Sequence, residues 1–376
     1  MKNIALVSNT SWYVYNFRKG LLKKLVAEGY NLFAIAPRDK FVAEIEAIGC
    51  TFIELKHINN KGKNPVEDIL LTLELRKTLI ANDIQCCLFF TPKINIYGSI
   101  AIKFTNIKAI STINGLGFVF NEGQPAWLQF TVKKLYRFAF KKLEALFFQN
   151  EDDKAFFLNA NLINGRQSIS VVRGSGVNIN EFSNKVSFNN SDKLVFLLSA
   201  RLLKEKGLYE YFEAAKELKK KFTSVTFALL GPLADNPSAV SLDIINGFHK
   251  QGTIDYWGVS DNMSDTLNKV DIMVLPSYYR EGVPRVLIEG LSKGLPIITT
   301  DNVGCRETVD DLQNGYLIPI KDTKSLASAI EKMISIPPED RLAMGKHSRQ
   351  KAITEFDEAL NHQRYLEVIK KLMPDN

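Results

Sequence analysis

Long apolar runs, cysteine pairs and the glycine loops of common nucleotide-binding folds are all missing from this chain of 376 residues. No apolar stretch approaches the roughly 20 residues that a bilayer crossing needs. Met1 to Ser8 carry a strand pattern, without the apolar core or cleavage site of a signal peptide. Cys50, Cys86, Cys87 and Cys305 are spaced for neither a metal cage nor a disulfide framework. A reducing, cytoplasmic setting is expected. No Gly-x-Gly-x-x-Gly fingerprint follows the first strand, and Gly115 and Gly117 lead to Phe120 where a third glycine belongs. That argues against a nicotinamide-dependent oxidoreductase, as the lack of a Walker loop argues against most phosphate-hydrolysing motors. No Asp-x-Asp stands at a suitable strand end (Asp152-Asp153 opens a helix), so neither a metal nor a resident cofactor is expected. The net charge of +7 implies an anionic partner. Without a helix-turn-helix, zinc finger or aromatic-basic RNA motif, that partner is not expected to be nucleic acid.

What is present is a regular alternation. Short apolar runs at Ile4–Ser8, Leu32–Ala36, Thr51–Leu55, Cys86–Thr91, Ala109–Thr112, Ala145–Gln149 and Ser170–Val172 are predicted strands. Amphipathic helices are predicted between them, over Tyr15–Glu28, Lys40–Ile48 and Val66–Ala81. A polar stretch, Asn184 to Asp192, reads as a linker. The pattern then restarts at Leu194–Ser199, Val225–Leu230, Ile254–Trp257, Ile272–Leu275, Pro296–Thr299 and Tyr316–Ile318. Strand–helix alternation of this kind builds parallel sheets covered on both faces. We expect an α/β protein of two Rossmann-like, doubly wound domains facing across a cleft. The first is expected over 1–176 and the second over 177–357. A final helix, about Leu360 to Leu372, could close on either; residues 358–376 are assigned to the first. Ligands belong at the carboxyl ends of the strands.

Two clusters there carry chemistry. Arg201 follows the strand Leu194–Ser199 and Lys206 precedes a helix near Gly207, so both lie at the ligand edge of the second sheet. A guanidinium fork and a mobile ammonium suit a diphosphate. Taken alone they read more readily as a solvated charge cluster on an exposed turn. Gly231, ending the next strand, would let a ligand approach the backbone. The segment Glu281-Gly282-Val283-Pro284-Arg285-Val286-Leu287-Ile288-Glu289 adds two carboxylates eight positions apart at a loop-to-helix junction. Pro284 suits the first turn of that helix. Amides around Gly282 to Arg285 would then face an anion, with Glu281 placed for sugar hydroxyls and Glu289 for a further diol such as a ribose.

These residues, with Gly304-Cys305-Arg306-Glu307 and Asn314-Gly315, resemble the retaining nucleotide-sugar glycosyltransferases of family 4, which adopt the GT-B fold. The resemblance covers nearly the whole chain. It implies that Arg201 and Lys206 hold the donor diphosphate, that Glu281 contacts the donor sugar and that Glu289 binds the ribose. Trp257, Gly258 and Val259, in Tyr256-Trp257-Gly258-Val259, would line the base. Ser8-Asn9-Thr10-Ser11, Tyr15-Asn16-Phe17-Arg18, Tyr97-Gly98-Ser99 and Asn114-Gly115-Leu116-Gly117 look like a bacterial subgroup working on polyprenyl-diphosphate-linked sugars. Asn9, Thr10, Asn16, Arg18, Asn114 and Gly115 are therefore expected at the acceptor. The chain departs from the family in having no glycine before Gly20 and in offering Lys93 where many members place a histidine. Lys93 could contact an acceptor phosphate or be a solvent-facing loop lysine.

The implied reaction moves a hexose or N-acetylhexosamine from a UDP-sugar co-substrate to a lipid-linked saccharide. No enzymic nucleophile is evident, so retention would proceed by same-face attack. Trp127 to Phe148 mixes aromatics with bases, and Lys133, Arg137 and Lys141 recur every four residues. Such a helix could lie on an anionic membrane surface at the inner face of the plasma membrane, or be an ordinary helix with a buried aromatic face. A nucleotide-sugar epimerase and a non-catalytic sugar-nucleotide-binding protein are the competing functions.

Overall fold

The computed structural model describes residues 2–58, 64–120, 123–188 and 193–374. The chain divides into two compact units: Met1–Ser175 with Glu358–Asn376, and Gly176–Asp357. In the first unit the strands are β1 (Asn3–Val7), β2 (Asn31–Ala36), β3 (Thr51–Glu54), β4 (Cys86–Phe90), β5 (Lys108–Ile113), β6 (Ala145–Phe148) and β7 (Ser168–Val171). They pair in parallel, in the order β3-β2-β1-β4-β5-β6-β7. The helices of this unit are α1 (Ser11–Ala27), α2 (Val42–Ala47), α3 (Pro65–Ala81), α4 (Pro92–Ala101), α5 (Ala126–Phe140) and α6 (Glu151–Asn159). Leucines of α3, isoleucines of α4 and aromatics of α5 and α6 form one core against the sheet. The other face is covered by α1 and α2 and by the chain's last helix, Glu358–Leu372.

The second unit repeats the plan with β8 (Val195–Ser199), β9 (Thr226–Leu230), β10 (Asp255–Tyr256), β11 (Ile272–Leu275), β12 (Ile297–Thr300) and β13 (Gly315–Ile318). Their order is β10-β9-β8-β11-β12-β13, again parallel. Its helices are α7 (Leu208–Leu218), α8 (Leu242–Lys250), α9 (Met263–Leu267), α10 (Arg285–Lys293), α11 (Thr323–Ser335) and α12 (Pro338–Lys351), so the last helix of the chain is α13. In each sheet the strand order reverses once, between β1 and β4 and between β8 and β11. The crevice beyond the carboxyl ends at such a reversal is where doubly wound folds bind ligands.

Apolar strands were the legible part of the sequence because a parallel sheet buries them on both faces, as in β4 and β11, which are buried throughout. Helix starts depended on caps. Helix α1 begins at Ser11, four residues before the expected Tyr15, because Thr10 Oγ1 accepts the Tyr13 amide at 3.0 Å. Helix α3 was expected to be amphipathic and is not: Leu71, Leu75 and Leu79 are buried while Val66, Ile69 and Leu73 on the opposite side are exposed. The stretch expected as a linker is packed at its start, where Lys185 Nζ pairs with Asp271 at 2.9 Å and its amide meets Lys293 O at 2.9 Å. Residues 189–192 of that expected linker lie outside the described residues.

The last helix, α13, is anchored by Tyr365, whose hydroxyl lies 2.6 Å from Thr112 Oγ1 and whose ring meets Phe147 at 4.5 Å. One turn earlier, His362 is largely buried beside Glu358, with Arg18 and Lys24 nearby. Burial, reinforced by these two cations, pushes its pKa down to about 4. The unfolded chain therefore takes up a proton near pH 6.5 that the folded chain resists until about pH 4. The resulting stability is present above the unfolded value and is lost as pH falls through that window. His362→Gln should flatten the decline between those limits in urea titrations. An unchanged slope would remove His362 as its source.

Candidate active site

At the reversal in the second sheet, two backbone segments are stitched together before any ligand arrives. The turn after β8 carries Arg201 and a single 3₁₀ turn, Lys204–Lys206. The loop after β11 runs from Pro276 to Pro284. The Glu205 carbonyl joins them, accepting the amides of Tyr278 and Tyr279 at 2.9 and 3.1 Å. Ser277 Oγ lies 3.2 Å from both that carbonyl and Glu281 Oε1. From the end of β12, Thr300 Oγ1 donates to Ser277 O, and from the turn after it Asn302 Nδ2 reaches Tyr279 O at 3.1 Å.

Two of the expected residues meet directly on this frame. Lys206 Nζ donates to Glu281 Oε1 and lies 5.3 Å from the centroid of the Tyr279 ring. Lys206 is buried; Glu281 is partly open. Arg201 is exposed and lies close enough to the Tyr279 side chain to act on it electrostatically. Burial raises the Tyr279 pKa and Arg201 partly offsets this. Tyr279 is thus a site residue that the sequence reading missed. Its place in the loop that follows the apolar run Ile272–Leu275 was the available signal, since residues past a strand's carboxyl end line the crevice.

Other residues take different places from those expected. Pro284 is the cap of α10, one residue before its first turn. Gly282 and Val283 lie between Glu281 and that cap, and Arg285 is the first residue of α10. Glu289 is buried, with Oε1 accepting from Arg285 Nε at 2.9 Å. Burial raises its pKa against the opposing pull of Arg285. Gly231 is required by the protein itself, because a Cβ there would fall on the Ala200 carbonyl. Its amide instead meets Gly258 O at 2.7 Å. Trp257 is half-buried, with its indole donating to Asp255 Oδ2 at 2.8 Å, and Val259 is exposed.

In the first unit the expected acceptor residues lie around the other reversal, but only some converge. Asn114 Nδ2 donates to Tyr13 Oη at 2.6 Å and Arg18 donates to the same atom at 2.7 Å. Arg18 is buried, with its guanidinium 4.2 Å from the Phe90 centroid, so it positions Tyr13 and does not itself face a ligand. Gly115 follows Asn114 with φ of 98°. Thr10 caps α1, and Asn16 is tied to Trp12 O at 2.9 Å. Asn9 lies beside Ser8, whose hydroxyl is 3.5 Å from its Oδ1. Lys93 is not on a loop and is only partly exposed. It sits in the first turn of α4, 2.8 Å from Asp68 Oδ1, and Tyr97 Oη holds the other oxygen of that carboxylate at 2.7 Å.

Comparison with known proteins settles the family. The description "Glycosyl transferase 4-like" matches residues 3–150, and "Glycosyl transferases group 1" matches residues 179–351. The chain belongs to the glycosyltransferases. This glycosyltransferase is 28% identical over 384 residues to the N,N'-diacetylbacillosaminyl-diphospho-undecaprenol alpha-1,3-N-acetylgalactosaminyltransferase of Campylobacter jejuni, covering 98% of this chain and 99% of the relative. A glycosyltransferase from Rickettsia africae superimposes with a TM-score of 0.80 at 20% identity, covering 100% and 99% of the two chains. Anabaena HepE, solved in complex with UDP-glucose, gives 0.78 at 14% identity, covering 99% and 100%. These structural likenesses establish the GT-B fold.

The motif glycine Gly304 gains a physical explanation. With φ of 81° it presses against the back of the loop after β11, and a Cβ there would fall on the Gly282 and Glu281 carbonyls. Cys305 beside it is buried, and burial lifts its thiol to about 12. Gly304→Ala in this glycosyltransferase should combine left-handed strain with a backbone clash, costing about 1–3 kcal/mol. Urea denaturation measures it; wild-type stability would show that the loop yields freely.

Proposed function

We propose that the protein is a retaining, metal-independent hexosyltransferase. It would move an N-acetylhexosamine or hexose from a UDP-sugar to a polyprenyl-diphosphate-linked saccharide in bacterial surface polysaccharide or glycoprotein glycan assembly. The observation that carries this reading is the Lys206–Glu281 contact beside Arg201 at the sheet reversal. It brings the charge for a leaving diphosphate and a carboxylate for sugar hydroxyls to one spot. The name of the Campylobacter relative, with its diphospho-undecaprenol acceptor, and the UDP-glucose held by HepE support the choice of substrates.

In this reading Arg201 and Lys206 hold the diphosphate while Glu281 orients the sugar. The bond from the anomeric carbon to the phosphate oxygen breaks, and negative charge grows on the leaving group. The two cations stabilise that charge as preorganised electrostatics. The acceptor hydroxyl attacks from the same face and its proton passes to the departing phosphate oxygen. Trp257, Gly258 and Val259 line the base and Glu289 the ribose. The acceptor lies along Asn9, Thr10, Asn16, Asn114 and Gly115, with Arg18 acting through Tyr13 and Lys93 facing the acceptor diphosphate. Among the described residues no helix is long and apolar enough to cross a membrane. Contact with the inner face of the plasma membrane is proposed to run through α5, where Trp127 and Phe130 are exposed beside Lys133 and Lys134.

Arg201→Ala and Lys206→Ala should each lower kcat/KM by about 10²–10³, and Glu281→Gln should also impair transfer. Near-normal rates in all three would overturn the assignment. Thermal shifts against UDP-, GDP- and ADP-sugars identify the donor, since saturation at about 100 Kd stabilises a fold by about 2.7 kcal/mol.

A further inference from the structure

Helix α3 carries apolar residues on the side that ought to be polar. Val66, Ile69, Leu73 and Ile80 are 62%, 60%, 57% and 51% exposed, and Leu70 adds to the same stripe. Their spacing of three, four and seven keeps them on one face. An outer helix face in a globular protein is ordinarily charged, and a contiguous exposed apolar patch marks an interaction surface.

The acids of α3 do not interrupt this stripe. Asp68 is held by Lys93 and Tyr97 of α4, and Glu74 accepts the Lys56 and His57 amides at 2.9 Å each. Glu67, near the start of the helix, turns one oxygen into the protein. Lys77 is the exposed charge left among the apolar residues.

Helices α3 and α5 both pack on α4, on the same face of the sheet. The outer side of α5 shows Trp127, Phe130 and Phe138, 67%, 62% and 53% exposed. Cations sit over these rings: Lys134 Nζ is 5.3 Å from the Phe130 centroid and Lys103 Nζ 3.3 Å from that of Phe138. No acidic residue occurs between Ala126 and Phe140. Exposed aromatics with a basic fringe fit the interface of an anionic leaflet. Two-fold pairing of two copies through α3 would instead bring a cationic flank up to its own mate.

We propose that α3 lays its stripe into the apolar boundary of an anionic membrane, so that α3 and α5 form one two-helix attachment face. This rests on the reading of α5 as membrane-facing and adds to it an apolar anchor that salt does not screen. Headgroup attraction of the α5 bases fades within a Debye length of about 8 Å at physiological ionic strength, whereas burial of Ile69 and Leu73 does not.

Co-sedimentation of the full chain with vesicles of phosphatidylcholine and phosphatidylglycerol in equal parts tests this. The wild-type protein should bind, with a fraction retained in high salt. Ile69→Ser/Leu73→Ser should weaken binding by at least about tenfold and abolish the salt-resistant fraction. Lys134→Ser/Lys141→Ser should remove mainly the salt-sensitive part. All three proteins should keep the same melting temperature and the same transfer to a short-chain, water-soluble acceptor. Vesicle binding unchanged in the α3 variant overturns the proposal and leaves the α5 reading intact. If that variant also turns a dimer into a monomer in sedimentation velocity, the stripe belongs to a second copy. Failure of the wild type to bind vesicles at all sinks the α5 reading along with it.

Discussion

A lysine ammonium with little access to water is costly unless a carboxylate meets it, and in the second unit that requirement fixes the geometry of the site. Lys206 comes from the turn after β8 and Glu281 from the loop after β11, so their contact ties two strands' ends across the sheet reversal. The pair does not act alone. The Glu205 carbonyl gathers the Tyr278 and Tyr279 amides, and Asn302 braces the same loop from behind. With the loop held this way, the Tyr279 ring caps the ammonium and receives Arg201. Two cations and a carboxylate are thereby held together at the carboxyl ends of β8 and β11, the preorganised arrangement on which the proposed stabilisation of a leaving group rests.

The first unit solves a similar problem with neutral groups. Around its own reversal, Tyr13 Oη accepts from both Arg18 and Asn114, and Gln149 Nε2 extends the chain to Asn114 Oδ1 at 3.2 Å. The Arg18 guanidinium is buried against Phe90 and has no carboxylate in direct contact among its described partners. The Phe90 face and the Tyr13 hydroxyl serve instead. A network of this kind is rigid when satisfied. It leaves the reversal of the first sheet lined by polar groups tied to one another.

Much of the fold was legible before any coordinates. The parallel strands were found to within two residues at each end, and in the central strands such as β4 and β11 this is because residues buried on both faces leave an unbroken apolar run. The start of α1 was less legible, since Thr10 acts through a single hydrogen bond that periodicity does not register. Within the candidate site, Arg201, Lys206 and Glu281 were readable from residue type and position after strands. Tyr279 was not, because an aromatic beside a loop looks like core until its neighbours are known. The outer stripe of α3 was hidden for a related reason. Apolar residues on both sides of a helix give no periodic contrast, and nothing local says which side the sheet will cover.

What the residues determined unaided is the sequence of strands and helices and the kinds of group waiting at their carboxyl ends, because burial and charge are properties of each segment. What only tertiary structure decided is who meets whom. Lys206 and Glu281 lie seventy-five positions apart and become partners because β8 and β11 are neighbours across the reversal. Lys93 left its loop for Asp68, and Arg18 its expected ligand for Tyr13, through packing of α4 and α1 that no local pattern encodes. Pairings of this kind depend on strand order, which is set by the summed packing of the whole sheet.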